Sequence, residues 1–126
     1  MKYTIAVDFD GVLHRYDTPW KAPHIIPDLP VYGAIDWLHE QIQHFDVVIF
    51  TTRARTWRGR RAVRQWLRRF AGIIYYDGMG YRGIEEVKIT AHKPPALVYI
   101  DDRAWRFEGK FPSVDEIHKV RPWHKR

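Results

Sequence analysis

Three short apolar segments, each followed by carboxylate or hydroxyl side chains, constrain the fold of this chain most. The segments Tyr3–Asp8, Phe45–Thr51 and Leu97–Asp101 are rich in Val, Ile and aromatic residues. Such runs are typical of strands buried on both faces of a parallel sheet. In parallel α/β sheets, ligands bind beyond the carboxyl ends of the strands. We therefore expect the polar residues that end these segments to share one functional site.

Helical patterns lie between the predicted strands. Apolar residues recur at i, i+4, i+7 and i+11 from Val31 to Ile42, which predicts a helix with Pro30 in its first turn. A second helix is predicted over residues 56–70, with Gly72 placed to end it. Strands that alternate with helices predict an α/β fold, a single-domain Rossmann-like parallel sheet with helices on both faces.

The remaining segments complete this prediction. Residues 12–30 carry four prolines without periodicity, which indicates a long irregular loop of the kind that is usually functional. A further short strand is predicted at Ile73–Tyr76, followed by a glycine-rich loop with a short element at 85–90. Ser113 and Glu116 have the spacing of a capping box, which predicts a short last helix.

Composition excludes several classes of protein. The 126 residues correspond to one domain, 1–126, and include no cysteine, which excludes a disulfide scaffold, a Cys-ligated metal site and a cysteine nucleophile. No apolar run is long enough to cross a bilayer, and the first residues lack the pattern of a signal peptide. We therefore expect a cytoplasmic protein without a membrane partner. The net charge of +6 favours anionic partners, either phosphorylated small molecules or nucleic acid.

The first acidic pair is Asp8-Phe-Asp10-Gly11, at the end of the first predicted strand. In an extended chain Asp8 and Asp10 project to the same side, whereas Phe9 points away. Two carboxylates in one small volume repel each other unless a cation or a proton lies between them. The pattern therefore favours a catalytic or metal site over an ordinary turn.

Two further strand ends carry polar groups. Thr51, Thr52 and Arg53 follow the second predicted strand, where a hydroxyl and backbone N–H groups can hold a phosphate oxygen. The adjacent carboxylates of Asp101 and Asp102 end the last predicted strand, and a lysine with two prolines precedes that strand. Carboxylate oxygens completed by water and substrate phosphate are the usual ligands of Mg²⁺. Together these residues predict Mg²⁺-assisted phosphoryl transfer.

The order of these groups resembles that of the haloacid-dehalogenase-like (HAD) phosphohydrolases. Residues 8–13 resemble the family's first motif, residues 48–51 its second, Lys93 its third and residues 100–102 its fourth, over a match that spans residues 3–103. The resemblance implies a phosphatase that acts through an aspartyl-phosphate intermediate, with Mg²⁺ as cofactor.

The resemblance also implies the role of each acidic residue. Asp8 is expected to be the nucleophile and Asp10 the general acid and base, whose backbone carbonyl also meets the metal. Asp102 is expected to bind the metal directly, with Asp101 oriented toward the lysine. The implied metal site thus draws on all four aspartates.

The phosphoryl group is expected to be held by Thr51 and Lys93, with Thr52, Arg53 and Gly11 binding the substrate. Two departures from the family pattern stand out. Val12 occupies a position where many members carry Thr, and Lys88 competes with Lys93 for the role of the motif III lysine. The spacing to the last acidic pair favours Lys93.

Neither gap between the motifs has room for an inserted cap domain, so we expect a capless, open site. An open site suits a bulky phosphorylated substrate, or else a lid formed by residues 12–30 or by a second protomer.

The predicted second helix is rich in arginine, and some of these arginines recur at i, i+4 and i+8. They indicate either a solvated face or a surface that binds nucleotides or nucleic acid, with Trp57, Tyr81, Trp105 and Trp123 as candidate base-stacking residues. His14 lies just after the first acidic pair and is interpreted as a plain loop histidine.

Three other interpretations remain open. The first is a nucleotidase or nucleic-acid end phosphatase. The second is a receiver-like phosphoacceptor module, although receivers carry their acidic pair after the first strand rather than the last. The third is a non-catalytic basic protein that binds nucleic acid. The sequence leaves the oligomeric state open.

Overall fold

Four parallel strands form the central sheet in the computed structural model, which describes residues 2–72 and 83–123. The sheet order is β3-β2-β1-β4, and every neighbouring pair is parallel. The strands are β1 (Thr4–Val7), β2 (Asp46–Phe50), β3 (Lys88–Thr90) and β4 (Val98–Ile100). The predicted α/β fold with a parallel sheet is therefore confirmed.

Two helices pack on the sheet. Helix α1 is Ala34–His44 and helix α2 is Trp57–Ala71, and the two helices contact each other and share one core with β1, β2 and β3. The buried core residues are Ile5, Val7, Val47, Ile49, Ile89, Leu38, Ile42, Val63, Trp66 and Leu67 among others. Gly72 ends α2 with a φ of 66°, as predicted.

The expectation of helices on both faces of the sheet is not met within the described residues. Right-handed crossovers from β1 to β2 and from β2 to β3 run in one direction, so they place α1 and α2 on the same face. The chain then returns from β3 to β4 through residues 91–97, which contain no helix. The last helix, α3 (Val114–Lys119), has the predicted capping box at Ser113 but no buried residue.

Some boundaries differ from the sequence-based prediction. Helix α1 begins after Gly33 rather than near Pro30, because the backbone before it is held in an extended pairing. In that pairing Val31 N–H donates to the Leu13 carbonyl at 2.8 Å. The predicted element at 85–90 is the turn of 3-10 helix Ile84–Glu86 followed by β3. The strand predicted at Ile73–Tyr76 lies outside the described residues.

The last strand, β4, is less buried than its sequence predicts. Val98 and Tyr99 are exposed, because within the described part of the chain β4 pairs only with β1 and forms an edge of the sheet. Across the described residues, no helix has the length and apolar character needed to span a membrane.

Candidate active site

The carboxyl ends of β1, β2 and β4 converge on one cavity of about 390 Å³. This follows from the parallel topology, because all strands of such a sheet end at the same edge. The polar lining groups come from Asp8, Asp10, Gly11, Thr51, Thr52, Asp101, Asp102 and Arg103, and the aromatic ones from Tyr16, Trp20 and Phe50. The three polar strand ends singled out in the sequence thus lie together.

Three of the four aspartates predicted to bind the metal form a compact carboxylate cluster. One oxygen from each of Asp8, Asp101 and Asp102 lies within 4.8 Å of the others. Among the described residues, Asp102 Oδ1 is buried and has no hydrogen-bond partner. A buried carboxylate oxygen without a donor is costly, and a cation between the three groups would remove that cost. The donor set of hard oxygens fits Mg²⁺.

The electrostatics of Asp8 point in the same direction. Burial, with the neighbouring carboxylates of Asp101 and Asp102 adding to it, raises the pKa of Asp8 to about 7. The Asp8 carboxylate accepts the Phe9 N–H at 2.8 Å, a contact that only partly opposes the increase. A metal ion in the cluster would favour the ionised form that a nucleophile needs.

The Asp10 carboxylate is turned away from this cluster. Its Oδ1 and Oδ2 accept hydrogen bonds from the Arg53 Nε at 3.1 and 2.9 Å, and its Oδ1 lies 2.9 Å from His14 Nδ1. The Asp10 side chain is therefore separate from the three grouped carboxylates, and the predicted contact of its backbone carbonyl with a metal stays a prediction. Its side chain still lines the cavity.

Arg53 does not line the cavity, contrary to its assignment as a substrate-binding residue. Its side chain is 1% exposed, and its Nη1 donates to the carbonyls of Ala22, Pro23 and Ile25 at 3.2, 3.0 and 3.0 Å. Its position two residues after Thr51 suggested a phosphate contact. Instead, the guanidinium donates its hydrogen bonds to backbone carbonyls of the loop formed by residues 12–30.

The two threonines differ in exposure. Thr51 is buried and lines the cavity, and its Oγ1 accepts the Arg53 N–H at 3.2 Å, a bond that does not use the hydroxyl proton. Thr52 is exposed at the cavity wall and begins the 3-10 turn Thr52–Arg55. Gly11 lines the same wall, and its carbonyl accepts the Trp123 Nε1–H at 2.6 Å.

The two candidate lysines lie apart from the main cavity lining. Lys93 lines a neighbouring cavity of about 720 Å³, which shares Phe50 and Asp101 with the first, and its Nζ lies 4.7 Å from the centre of the Tyr99 ring. Lys88 is exposed on β3 and lines neither cavity. Of the two lysines, Lys93 shares a cavity with one of the carboxylates, that of Asp101, whereas Lys88 lines neither of these two cavities.

Residues 12–30 supply cavity residues that the sequence did not single out, namely Tyr16 and Trp20. Trp20 packs over the guanidinium of Arg53, 4.4 Å from the ring centre to Cζ. His14 is fully buried rather than a plain loop residue, and it contacts the Asp10 carboxylate. The i, i+4 spacing of Asp10 and His14 directly after a strand was the signal available in the sequence.

The arginine-rich helix α2 divides into two groups. Arg64 donates to the carbonyls of Ile84 and Val87, and Arg68 pairs with the Glu85 carboxylate, so both join α2 to the segment before β3. The other arginines of α2, at positions 58, 60, 61 and 69, are exposed, as are Arg68 and, in the 3-10 turn before the helix, Arg55. Trp57, 63% exposed, lines a shallow cavity with Arg60, Arg61, Arg64 and Arg68.

Comparisons of this chain with protein-family models, with curated proteins and with solved structures find no match.

Proposed function

We propose that this chain is a Mg²⁺-dependent phosphatase of the HAD-like type, without a cap domain, that hydrolyses phosphoric monoesters through an aspartyl-phosphate on Asp8. The observation that carries the proposal is the cluster of Asp8, Asp101 and Asp102, within 4.8 Å, in a cavity that also exposes Asp10 and Thr52. Solubility alone does not explain three grouped carboxylates at the carboxyl ends of two strands in a basic protein.

In this proposal Asp8, Asp101 and Asp102 hold the metal ion. When bound, Mg²⁺ offsets the charge repulsion between the Asp8 carboxylate and the anionic phosphoryl group and polarises the phosphoryl oxygens. The orphaned Asp102 Oδ1 is the oxygen most in need of such a partner. Asp101 already uses one oxygen to accept the Arg103 N–H at 2.9 Å.

The chemistry then divides between two carboxylates. Asp8 attacks phosphorus, the bond from phosphorus to the leaving oxygen breaks, and Asp10 gives its proton to that oxygen. In the second step Asp10 takes a proton from water as the water oxygen attacks phosphorus and releases Asp8. The net reaction consumes one water and yields an alcohol and inorganic phosphate.

The phosphoryl oxygens are held by the Thr51 hydroxyl and the backbone N–H of Thr52, with Lys93 supplying positive charge from the adjoining cavity. Binding energy for the remainder of the substrate must come from the open walls of the site, among them Tyr16, Trp20 and Arg103.

Hydrolysis of an aryl phosphate tests the proposal directly. We expect turnover that requires Mg²⁺, is removed by EDTA, and is lost in Asp8→Asn. The matched control is Asp46→Asn, which changes an exposed aspartate at the other end of the sheet and should retain turnover. Turnover by purified Asp8→Asn at the wild-type rate would contradict the assignment of the nucleophile.

A second candidate function is a nucleic-acid end phosphatase, favoured by exposed Trp57 beside Arg60 and Arg61. Arg61 lies 5.4 Å from the centre of the Trp57 ring, an arrangement that can stack a base beside a phosphate contact. A 5′- or 3′-phosphorylated oligonucleotide should then be hydrolysed with a higher kcat/KM than its mononucleotide, and the advantage should fall with salt. Equal kcat/KM values for the oligonucleotide and the mononucleotide would show that the surface around Trp57 does not bind the substrate.

A further inference from the structure

We propose that His14 and Arg53 are positioning residues that hold the Asp10 carboxylate for proton transfer. This inference rests on the proposed phosphatase function, gives a role to His14, and gives Arg53 a role other than the substrate binding expected from the sequence. Both side chains lie fully inside the protein, at 0% and 1% exposure, yet each places a nitrogen against a carboxylate that lines the cavity.

The contacts leave Asp10 little freedom. Arg53 Nε contacts both carboxylate oxygens, and His14 Nδ1 contacts Oδ1, so the plane of the carboxylate is set from two directions. Arg53 is itself immobilised by three backbone carbonyls and by the ring of Trp20. His14 is held between the ring of Phe9, stacked at 5.5 Å, and the edge of Trp66.

The hydrogen-bond pattern identifies the tautomer of His14. The backbone N–H of Asp28 donates to Nε2 at 3.1 Å, so Nε2 must present a lone pair. The ring proton then lies on Nδ1 and is donated to Asp10 Oδ1. Neutral His14 thus orients Asp10 as a hydrogen-bond donor, while Arg53 supplies the positive charge.

This arrangement makes the two oxygens of Asp10 unequal. Oδ1 accepts from both His14 and Arg53, whereas Oδ2 contacts Arg53 alone among the described residues. A carboxylate oxygen has two lone pairs, so Oδ2 keeps one for a proton. We infer that Oδ2 gives the proton to the leaving oxygen and later takes one from water.

If His14 and Arg53 only stabilised the loop, their variants would have the same kinetic effect as other substitutions that loosen the loop. Thr18 also stabilises the loop without contacting Asp10, because its backbone N–H and Oγ1 each lie 2.7 Å from the Asp28 carboxylate. Removing the Thr18 hydroxyl loosens the Asp28 carboxylate but leaves in place the Asp28 backbone N–H that donates to His14. Loosening Asp10 impairs proton transfer, which matters most for leaving groups of high pKa.

The test compares kcat/KM for an alkyl phosphate and for an activated aryl phosphate. His14→Phe keeps the packing of the ring but removes the donor, and we expect the alkyl rate to fall about tenfold or more beyond any fall in the aryl rate. His14→Asn restores a donor near the position of Nδ1 and should recover much of the alkyl rate. Arg53→Lys keeps the charge but not the two-oxygen contact, and should resemble His14→Phe.

Thr18→Val is the matched control, because it removes one loop hydrogen bond without touching Asp10. We expect its ratio of alkyl to aryl rates to equal that of the wild type. Equal losses on both substrates in the His14 and Arg53 variants, or the same change of ratio in Thr18→Val, would overturn the positioning role and leave the phosphatase assignment intact. A wild type without turnover on either substrate would overturn both.

A spectroscopic measurement covers variants that fold poorly. The wild type should show the Nδ1–H tautomer of His14 in nitrogen-15 correlation spectra, with a proton resonance that shifts in Asp10→Asn. A ring proton on Nε2 would contradict the inferred network.

Discussion

Gly11 and Asp102 are separated by ninety-one positions in sequence, yet a Cβ on Gly11 would lie 2.4 Å from Asp102 Oδ2. Gly11 also has a φ of +84°, which L-residues with a side chain rarely adopt. A glycine is therefore needed at position 11 for two reasons: the turn has a backbone conformation that other residues rarely adopt, and a side chain would clash with the Asp102 carboxylate.

Gly11→Ala should destabilise the protein by about 1–2 kcal/mol through backbone strain alone, and should also displace Asp102. Gly33→Ala is a close control, because Gly33 has a φ of +83° with nothing within 4 Å of an added Cβ. We expect both variants to lose stability in denaturant titrations, but only Gly11→Ala to lose stabilisation by Mg²⁺. Equal responses to Mg²⁺ would show that the contact with Asp102 is unimportant.

The raised pKa of Asp8 makes metal-free stability depend on pH. Asp8 ionises near pH 4 in the unfolded chain, whereas burial and the Asp101 carboxylate raise its pKa to about 7 in the folded protein. Between these values the folded state holds a proton that the unfolded state has lost, so the free energy of unfolding falls as pH rises. Above about pH 7 the loss is complete, because Asp8 is ionised in both states.

Asp8→Asn removes this dependence, because the amide does not titrate. In EDTA, the Tm of Asp8→Asn minus that of the wild type should increase from about pH 4 to about pH 8 and then level off. Asp46→Asn, at an exposed position, should track the wild type. A constant difference across this range would contradict the raised pKa.

Magnesium should stabilise the folded protein through the carboxylate cluster and not through Asp10. At a Mg²⁺ concentration about a hundred times Kd, linkage gives about 2.7 kcal/mol of stabilisation. Asp102→Asn should lose most of this effect, whereas Asp10→Asn should keep it, because its side chain faces Arg53 and His14. Thermal unfolding with and without Mg²⁺ measures both, and loss of the effect in Asp10→Asn would show that the Asp10 side chain takes part in metal binding.

Arg64 should contribute to stability rather than to substrate binding. It donates to the carbonyls of Ile84 and Val87, two residues that are almost fully buried. Arg64→Ala should therefore cost about 1–3 kcal/mol by removing a charged donor from these two carbonyls. Arg60→Ala, at an exposed position of the same helix, should change the free energy of unfolding by less than about 0.5 kcal/mol.

The candidate site shows how far a sequence of this kind predicts structure. The helices were predictable because burial of one face imposes a period of about 3.6 residues on apolar side chains. The strands were predictable because burial on both faces gives short continuous apolar runs. The convergence of Asp8, Asp101 and Asp102 followed from parallel topology. The predicted start of α1 was wrong because the residues before the helix are held by a backbone hydrogen bond from Val31 to Leu13. A backbone hydrogen bond does not change the periodicity of apolar side chains, so the sequence pattern could not show it.

By itself, the sequence determined the parallel α/β class, because that class follows from local patterns of burial. The meeting of acidic strand ends follows from the class, because parallel strands end at one edge of the sheet. Only the tertiary structure decided which way each polar side chain faces. It turns Asp10 from the cluster toward Arg53 and His14, and it buries the Arg53 guanidinium in the loop. Those outcomes depend mainly on the hydrogen bonds of Arg53, which is distant in the chain from Asp10 and from the loop carbonyls, and such bonds form only once the loop has packed against the sheet.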